Sequence, residues 1–231
     1  MLTNEELEII LLSLRVNLWA VALSLPVAVT IAYVLARARF PGKAILDALV
    51  HLPLVLPPVV VGYLLLLAFG RQGAVGNFLA QCCNLTFAFR WTGAALAAAI
   101  MGLPLMVRAV RQAFESVDVR LEAAARTLGA GPIWVFISVT LPLVLPGILT
   151  GVLLSFARGL GEFGATITFV SSIPGETRTL PLAIYEFIQL PGGEPMAWRL
   201  SAMAVVLSLI ALMLSEYLLL RARRKAEGRD T

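Results

Sequence analysis

Five apolar stretches, residues 11–36, 45–69, 92–107, 143–170 and 197–220, account for most of this chain and leave little over for anything else. An α-helix rises about 1.5 Å per residue, so roughly 20 apolar residues cross the hydrocarbon core of a bilayer. Within hydrocarbon the backbone must satisfy its own hydrogen bonds, which makes helices the natural form for such spans. The 231 residues are 59% hydrophobic and only 14% charged, far from a soluble balance. The pattern predicts an all-α polytopic membrane protein, one transmembrane domain over residues 1–231, with five transmembrane helices and a water-compatible hairpin at 121–142 between the third and fourth.

Basic residues are retained on the cytoplasmic side of a membrane. Arg37, Arg39 and Lys43 follow the first stretch, Arg108, Arg111, Arg120 and Arg126 the third, and Arg221, Arg223, Arg224, Lys225 and Arg229 the fifth. The opposite loops hold Arg71, Arg90, Arg178 and Arg199, and Glu5, Glu6 and Glu8 precede the first basic residue, Arg15. The expected topology is N-out, C-in, with the hairpin cytoplasmic. Retention accounts for the net charge of +4, so no nucleic-acid footprint is read from it. The first stretch is too long for a signal-peptide core and follows acidic residues, which favours an uncleaved first span. Cys82 and Cys83 are adjacent, poorly placed to bridge each other, and form no metal set with the single histidine, His51. They are expected as small packing residues, with an accessible reactive thiol as the alternative.

Several intramembrane features point to irregular or close-packed helices. Pro53, Pro57 and Pro58 lie in the run from His51 to Gly62, where each removes a backbone donor and obstructs the helical ladder. The resulting bend either lines a path or is a buried structural kink. Ala94, Ala98 and Gly102 at fourfold spacing, and Ser201, Ser208 and Ser215 at sevenfold spacing, read as packing stripes. Arg158 and Glu162 are one helical turn apart and able to pair, roughly 24 and 30 Å along an ideal helix from Pro142. With Gly159, Gly161 and Gly164 around them, they are either a gate that attracts anions weakly or a neutralised pair that fixes packing.

The chain has no G-x-x-x-x-G-K-S/T phosphate loop, no H-E-x-x-H motif and no G-x-S-x-G elbow. Any energy for work must come from a partner, and the hairpin is the surface large enough to receive one. No cofactor or metal is expected. An intramembrane hydrolase using Glu162 with Arg158 or His51 would need a nucleophile or metal set converging at one depth, whereas His51 lies near the inner end of its span and Glu162 near the outer end of its own; a passive scaffold would leave the hairpin without purpose.

The hairpin resembles the docking loop of ABC-importer permeases. Ala124, Ala125, Gly129, Val139, Leu141 and Pro142 fit that frame, although the family's acidic residue would fall at Ala123 and here Glu122 stands one place earlier. The strings at 52–62, 122–131, 160–166 and 174–181 extend the likeness to permeases of the molybdate, tungstate and sulfate branch. The resemblance implies a non-catalytic subunit of an importer, molybdate being the expected cargo and tungstate or sulfate the alternatives. It also implies a homodimer in membrane lipid, two ABC ATPase subunits, a periplasmic oxyanion-binding protein that carries most of the selectivity, and the type I importer fold. Glu122, Ala124, Ala125, Gly129, Gly131, Leu141 and Pro142 are the expected ATPase-docking residues, with Gly129 and Gly131 shaping the turn between two short helices and Pro132 opening the second. Pro57, Pro58, Arg158, Gly161, Glu162 and Gly164 are the candidates for the pathway or its gate.

Overall fold

The computed structural model describes residues 3–226 and is helical throughout, with no strand among them. Arg229 lies outside the described residues, as do the side chains of Ser215, Arg221, Arg223, Arg224 and Lys225. The helices are α1 (Asn4–Arg37), α2 (Lys43–Val55), α3 (Pro58–Phe69), α4 (Ala74–Cys83), α5 (Trp91–Ser116), α6 (Val119–Thr127), α7 (Pro132–Val135), α8 (Leu141–Leu160), α9 (Gly164–Val170), α10 (Leu180–Gln189) and α11 (Glu194–Ala226). A π-helical turn, Phe136–Thr140, joins α7 to α8.

Four described helices are long and apolar enough to cross a membrane: α1, α5, the continuous rod Pro132–Leu160, and Glu194–Leu214 of α11. A fifth crossing results if α2 and α3, bent by 113° at their junction, are counted together. The third and first helices overrun the apolar stretches that predict them, for local reasons. In α5 the segment beyond residue 107 stays helical because Val110 and Phe114 are buried on one side while Arg108, Gln112 and Glu115 face outward. α1 starts at Asn4 because Thr3 and Glu6 form a capping box, Thr3 accepting from the Glu6 N–H at 3.3 Å and Glu6 from the Thr3 N–H at 2.8 Å.

α5 is the central helix, packed between α1 and α8. Ala94, Ala97 and Ala98 are fully or almost fully buried, and Gly102 faces Ser155 of α8 so closely that a methyl group there would collide with the hydroxyl. Small residues let the backbones approach where lipid supplies no hydrophobic drive, so the Ala94/Ala98/Gly102 stripe is a packing seam. Of the described serines on α11, Ser201 is half-buried and Ser208 exposed, and the helix packs against α8 and, through Leu200, Met203 and Ala204, against Ile9 and α10.

Two further expectations are corrected. The stretch 143–170 is not one helix: α8 ends at Leu160 and α9 begins at Gly164. Cys82 and Cys83 are both exposed at the end of α4, which packs through Gly76, Leu79 and Ala80 and turns the thiols away.

Candidate functional site

The hairpin starts where the Asp118 carboxylate accepts from the Arg120 N–H at 2.9 Å, capping α6. It turns at Gly129, whose φ of +87° lies in the left-handed region that side chains disfavour. Gly131 does not share this role: its φ is −67° and the space around it is open, so it is simply the N-cap of α7, with Pro132 in the first turn as expected. The second arm is not a separate short helix. α7, the π turn and α8 run on as one rod. Pro142 has no N–H, and its ring crowds the carbonyl four residues earlier; the wider turn just before it relieves that conflict, with the Leu141 N–H reaching back to the Phe136 carbonyl.

Glu122 faces inward. Its Oε1 accepts from Arg37 Nη2 at 2.9 Å and from Thr140 Oγ1 at 3.1 Å, with Arg126 3.9 Å from the other oxygen. A residue expected on the docking surface instead ties the hairpin to the end of α1 and to the π turn. The outward surface is apolar: Leu128 is 88% exposed, Ile133 75% and Trp134 60%. Sequence reasoning passed over these three, and the available signal was bulky apolar residues within an otherwise polar hairpin. Ala124 is exposed, Ala125 and Leu141 are half-buried, and Pro142 is exposed.

The candidate pathway residues gather where two spans break. Leu56 (φ −70°, ψ 143°) and Pro57 (φ −54°, ψ 132°) are extended because each precedes a proline, and Pro58 restarts the helix as the first residue of α3. Pro53 is accommodated within α2. On the facing element, Glu162 lies in the break between α8 and α9. Its Oε1 accepts from the Ala165 N–H at 2.8 Å, capping α9, while Arg158 Nη1 lies 2.6 Å from Oε2. The Glu162 side chain is 1% exposed and that of Arg158 27%. The two breaks touch: a Cβ on Gly164 would lie 2.8 Å from Pro58 Cβ, and one on Gly62 would lie 2.5 Å from the Ala165 carbonyl oxygen. Pro58 and Gly164 therefore meet, with Gly161, which stands in open space, and Glu162 in the same break. Irregular backbone at such depth belongs where protein or a polar cavity covers it. His51 is not part of this cluster; it sits against Asp47 on α2. Among the described residues, no three His, Cys, Asp or Glu side chains gather as a metal site.

Residues 25–224 match the model of the binding-protein-dependent transport system inner membrane components. The chain belongs to this family. Among similar proteins, this inner membrane component is 59% identical over 225 residues to the molybdenum transport system permease protein ModB of Escherichia coli (strain K12), covering 97% of this chain and 98% of that one. It is 54% identical over 220 residues to the ModB of Haemophilus influenzae, covering 95% and 96%. Among solved structures, a bacterial ABC transporter involved in the import of the acidic polysaccharide alginate superposes with a TM-score of 0.75 at 16% identity, over 95% of this chain and 80% of that chain, which shows the shared fold.

Proposed function

We propose that this inner membrane component is the permease subunit of an ATP-driven molybdate importer. Two copies form the pathway, two ABC ATPase subunits dock on the hairpins, and a periplasmic oxyanion-binding protein delivers the anion. The observation that carries this reading is the 59% identity with a molybdenum transport permease across 97% of the chain. The exposed apolar tip of the hairpin supports the docking role, since bulky side chains on an otherwise polar turn are stable when a partner covers them. With α2 and α3 counted as one broken span, five crossings put the termini on opposite sides. The basic loops favour a hairpin and a C-terminus on the cytoplasmic side.

The mechanics follow from two connections. ATPase movement at the hairpin pulls on α1 through Glu122 and Arg37, and on α8 directly, because Pro132–Leu160 is one rod. The 29-residue rod, roughly 43 Å long at helical rise, carries Arg158 near its far end and stops at Leu160, before the break that precedes α9. Motion at one end thereby reaches the two facing breaks, the expected gate. The chain itself makes and breaks no covalent bond.

The test is molybdate uptake by cells lacking their own importer and supplied with this permease, its ATPase and its binding protein, with tungstate and sulfate as competitors. Molybdenum accumulation that depends on all three proteins supports the reading. Uptake of sulfate without molybdate would reassign the cargo, and no copurifying ATPase would remove the importer reading altogether.

A further inference from the structure

A cleft of about 530 Å³ opens at the hairpin end of the bundle between α2 and α5, lined by Asp47, His51, Arg108, Arg111, Gln112 and Glu115. Its two carboxylates are both engaged by one guanidinium: Arg111 donates through Nη1 to Asp47 at 3.0 Å and through Nε to Glu115 at 2.8 Å. His51 is turned to the Asp47 carbonyl, with Nδ1 2.9 Å from it. Arg108 differs. Among the described residues no carboxylate pairs with it. Gln112 lies one turn further along the same face of α5 and lines the same cleft.

We propose that Arg108 and Gln112 form a binding site for a tetrahedral oxyanion. A guanidinium offers paired donors that match two oxygens of such an anion, and an adjacent amide supplies a third. The Arg111 ion pairs keep Asp47 and Glu115 from competing for Arg108. They also leave the cleft as a whole near neutrality, two arginines against two carboxylates, so the anion is held loosely enough to leave. The same chemistry has two sources at this place: the transported oxyanion on its way out of the pathway, or the phosphate of an anionic lipid at the membrane surface. The first source rests on the function proposed above and the second does not.

The permease–ATPase complex is purified without nucleotide, and molybdate retained after equilibrium dialysis is measured by elemental mass spectrometry, while native mass spectrometry counts retained phosphatidylglycerol. Wild type is compared with Arg108→Gln, Arg108→Lys and Gln112→Ala, each checked for intact assembly with the ATPase. At least a tenfold weaker molybdate affinity in Arg108→Gln, partly restored in Arg108→Lys, supports the site with the transported anion as ligand. Loss of bound phosphatidylglycerol with molybdate unchanged supports it with lipid phosphate as ligand. Unchanged retention of both in Arg108→Gln and Gln112→Ala overturns the site. Uptake by the same wild-type complex, reconstituted with ATP and the binding protein into proteoliposomes, separates the questions: a complex that imports molybdate but whose variants bind normally refutes the cleft alone, whereas a wild type that imports none refutes the function.

Discussion

Glu162 is held by two neighbours, one for each oxygen, and they do different work. Arg158 neutralises it, and the Ala165 N–H uses it as a helix cap. If the pair is structural, removing Arg158 strands a buried carboxylate, a change worth about 3–5 kcal/mol for a fully buried pair and toward the lower figure here because Arg158 is partly exposed. Arg158→Ala and Glu162→Ala should each lower the yield of folded permease in detergent, and Arg158→Met with Glu162→Leu should recover part of it. Glu162→Gln should fall between, since the amide oxygen still accepts from Ala165. If Arg158 instead guides the anion, its loss should spare folding and lower uptake, and the double variant should transport no better than Arg158→Ala. Unchanged yield and uptake in every variant would refute both roles. The fourfold spacing made the pairing legible in the sequence. The cap was not legible, because an apolar run that pauses for three residues and resumes has the composition of one uninterrupted helix. The break at Leu56 and Pro57 could be anticipated because proline acts on its immediate neighbour.

At the scale of elements, the hairpin joins a rigid turn to a tethered base. The turn depends on the positive φ of Gly129, where a Cβ would meet no neighbour and backbone strain alone opposes substitution. Gly129→Val should therefore weaken ATPase association and abolish most uptake, while Gly129→Asn, which tolerates the left-handed conformation, should retain a substantial part. Equal failure of both in a pull-down would mean that the ATPase surface, not the backbone, excludes a side chain there. The tether gives a different phenotype. Glu122→Gln or Arg37→Gln leaves the Leu128, Ile133 and Trp134 surface in place, so the ATPase should still bind and hydrolyse ATP while molybdate carried per ATP falls several-fold; proteoliposomes measure both rates, and an unaltered ratio would show the tether to be dispensable. Recognising the docking frame located the hairpin but not this tether, which joins positions 85 and 18 residues apart in the chain. Nothing local in the sequence marks such a meeting. α4 escaped notice for a related reason: ten residues between glycine and asparagine are too few to register as a span.

For the whole molecule, the distribution of cations predicts orientation, and the ion pairs strengthen the contrast between its two ends. At the end opposite the hairpin, Arg178 is bound to Glu5 and Glu186, and Arg199 to Glu6, so half of the few basic residues assigned to that side are neutralised. At the hairpin end Arg108 has no described acidic partner, and Arg39, Lys43 and Arg120 form no described ion pair. Retention of cations on the cytoplasmic side would set the chain N-out, the orientation proposed above. Replacing Cys82 and Cys83 with serine removes the two native exposed thiols, and single cysteines can be returned at Arg39, Gly131, Arg71 and Gly175. A membrane-impermeant maleimide applied to intact spheroplasts should label positions 71 and 175, and should reach 39 and 131 only after permeabilisation. Gly175 is the more decisive outer position, because its loop is fastened to the N-terminal turn of α1 through Arg178 and Glu5, so one label reports on both the amino terminus and the loop after α9. Labelling of position 131 in intact spheroplasts would put the hairpin outside, beyond the reach of any cytoplasmic ATPase, and would overturn the topology and the docking role together.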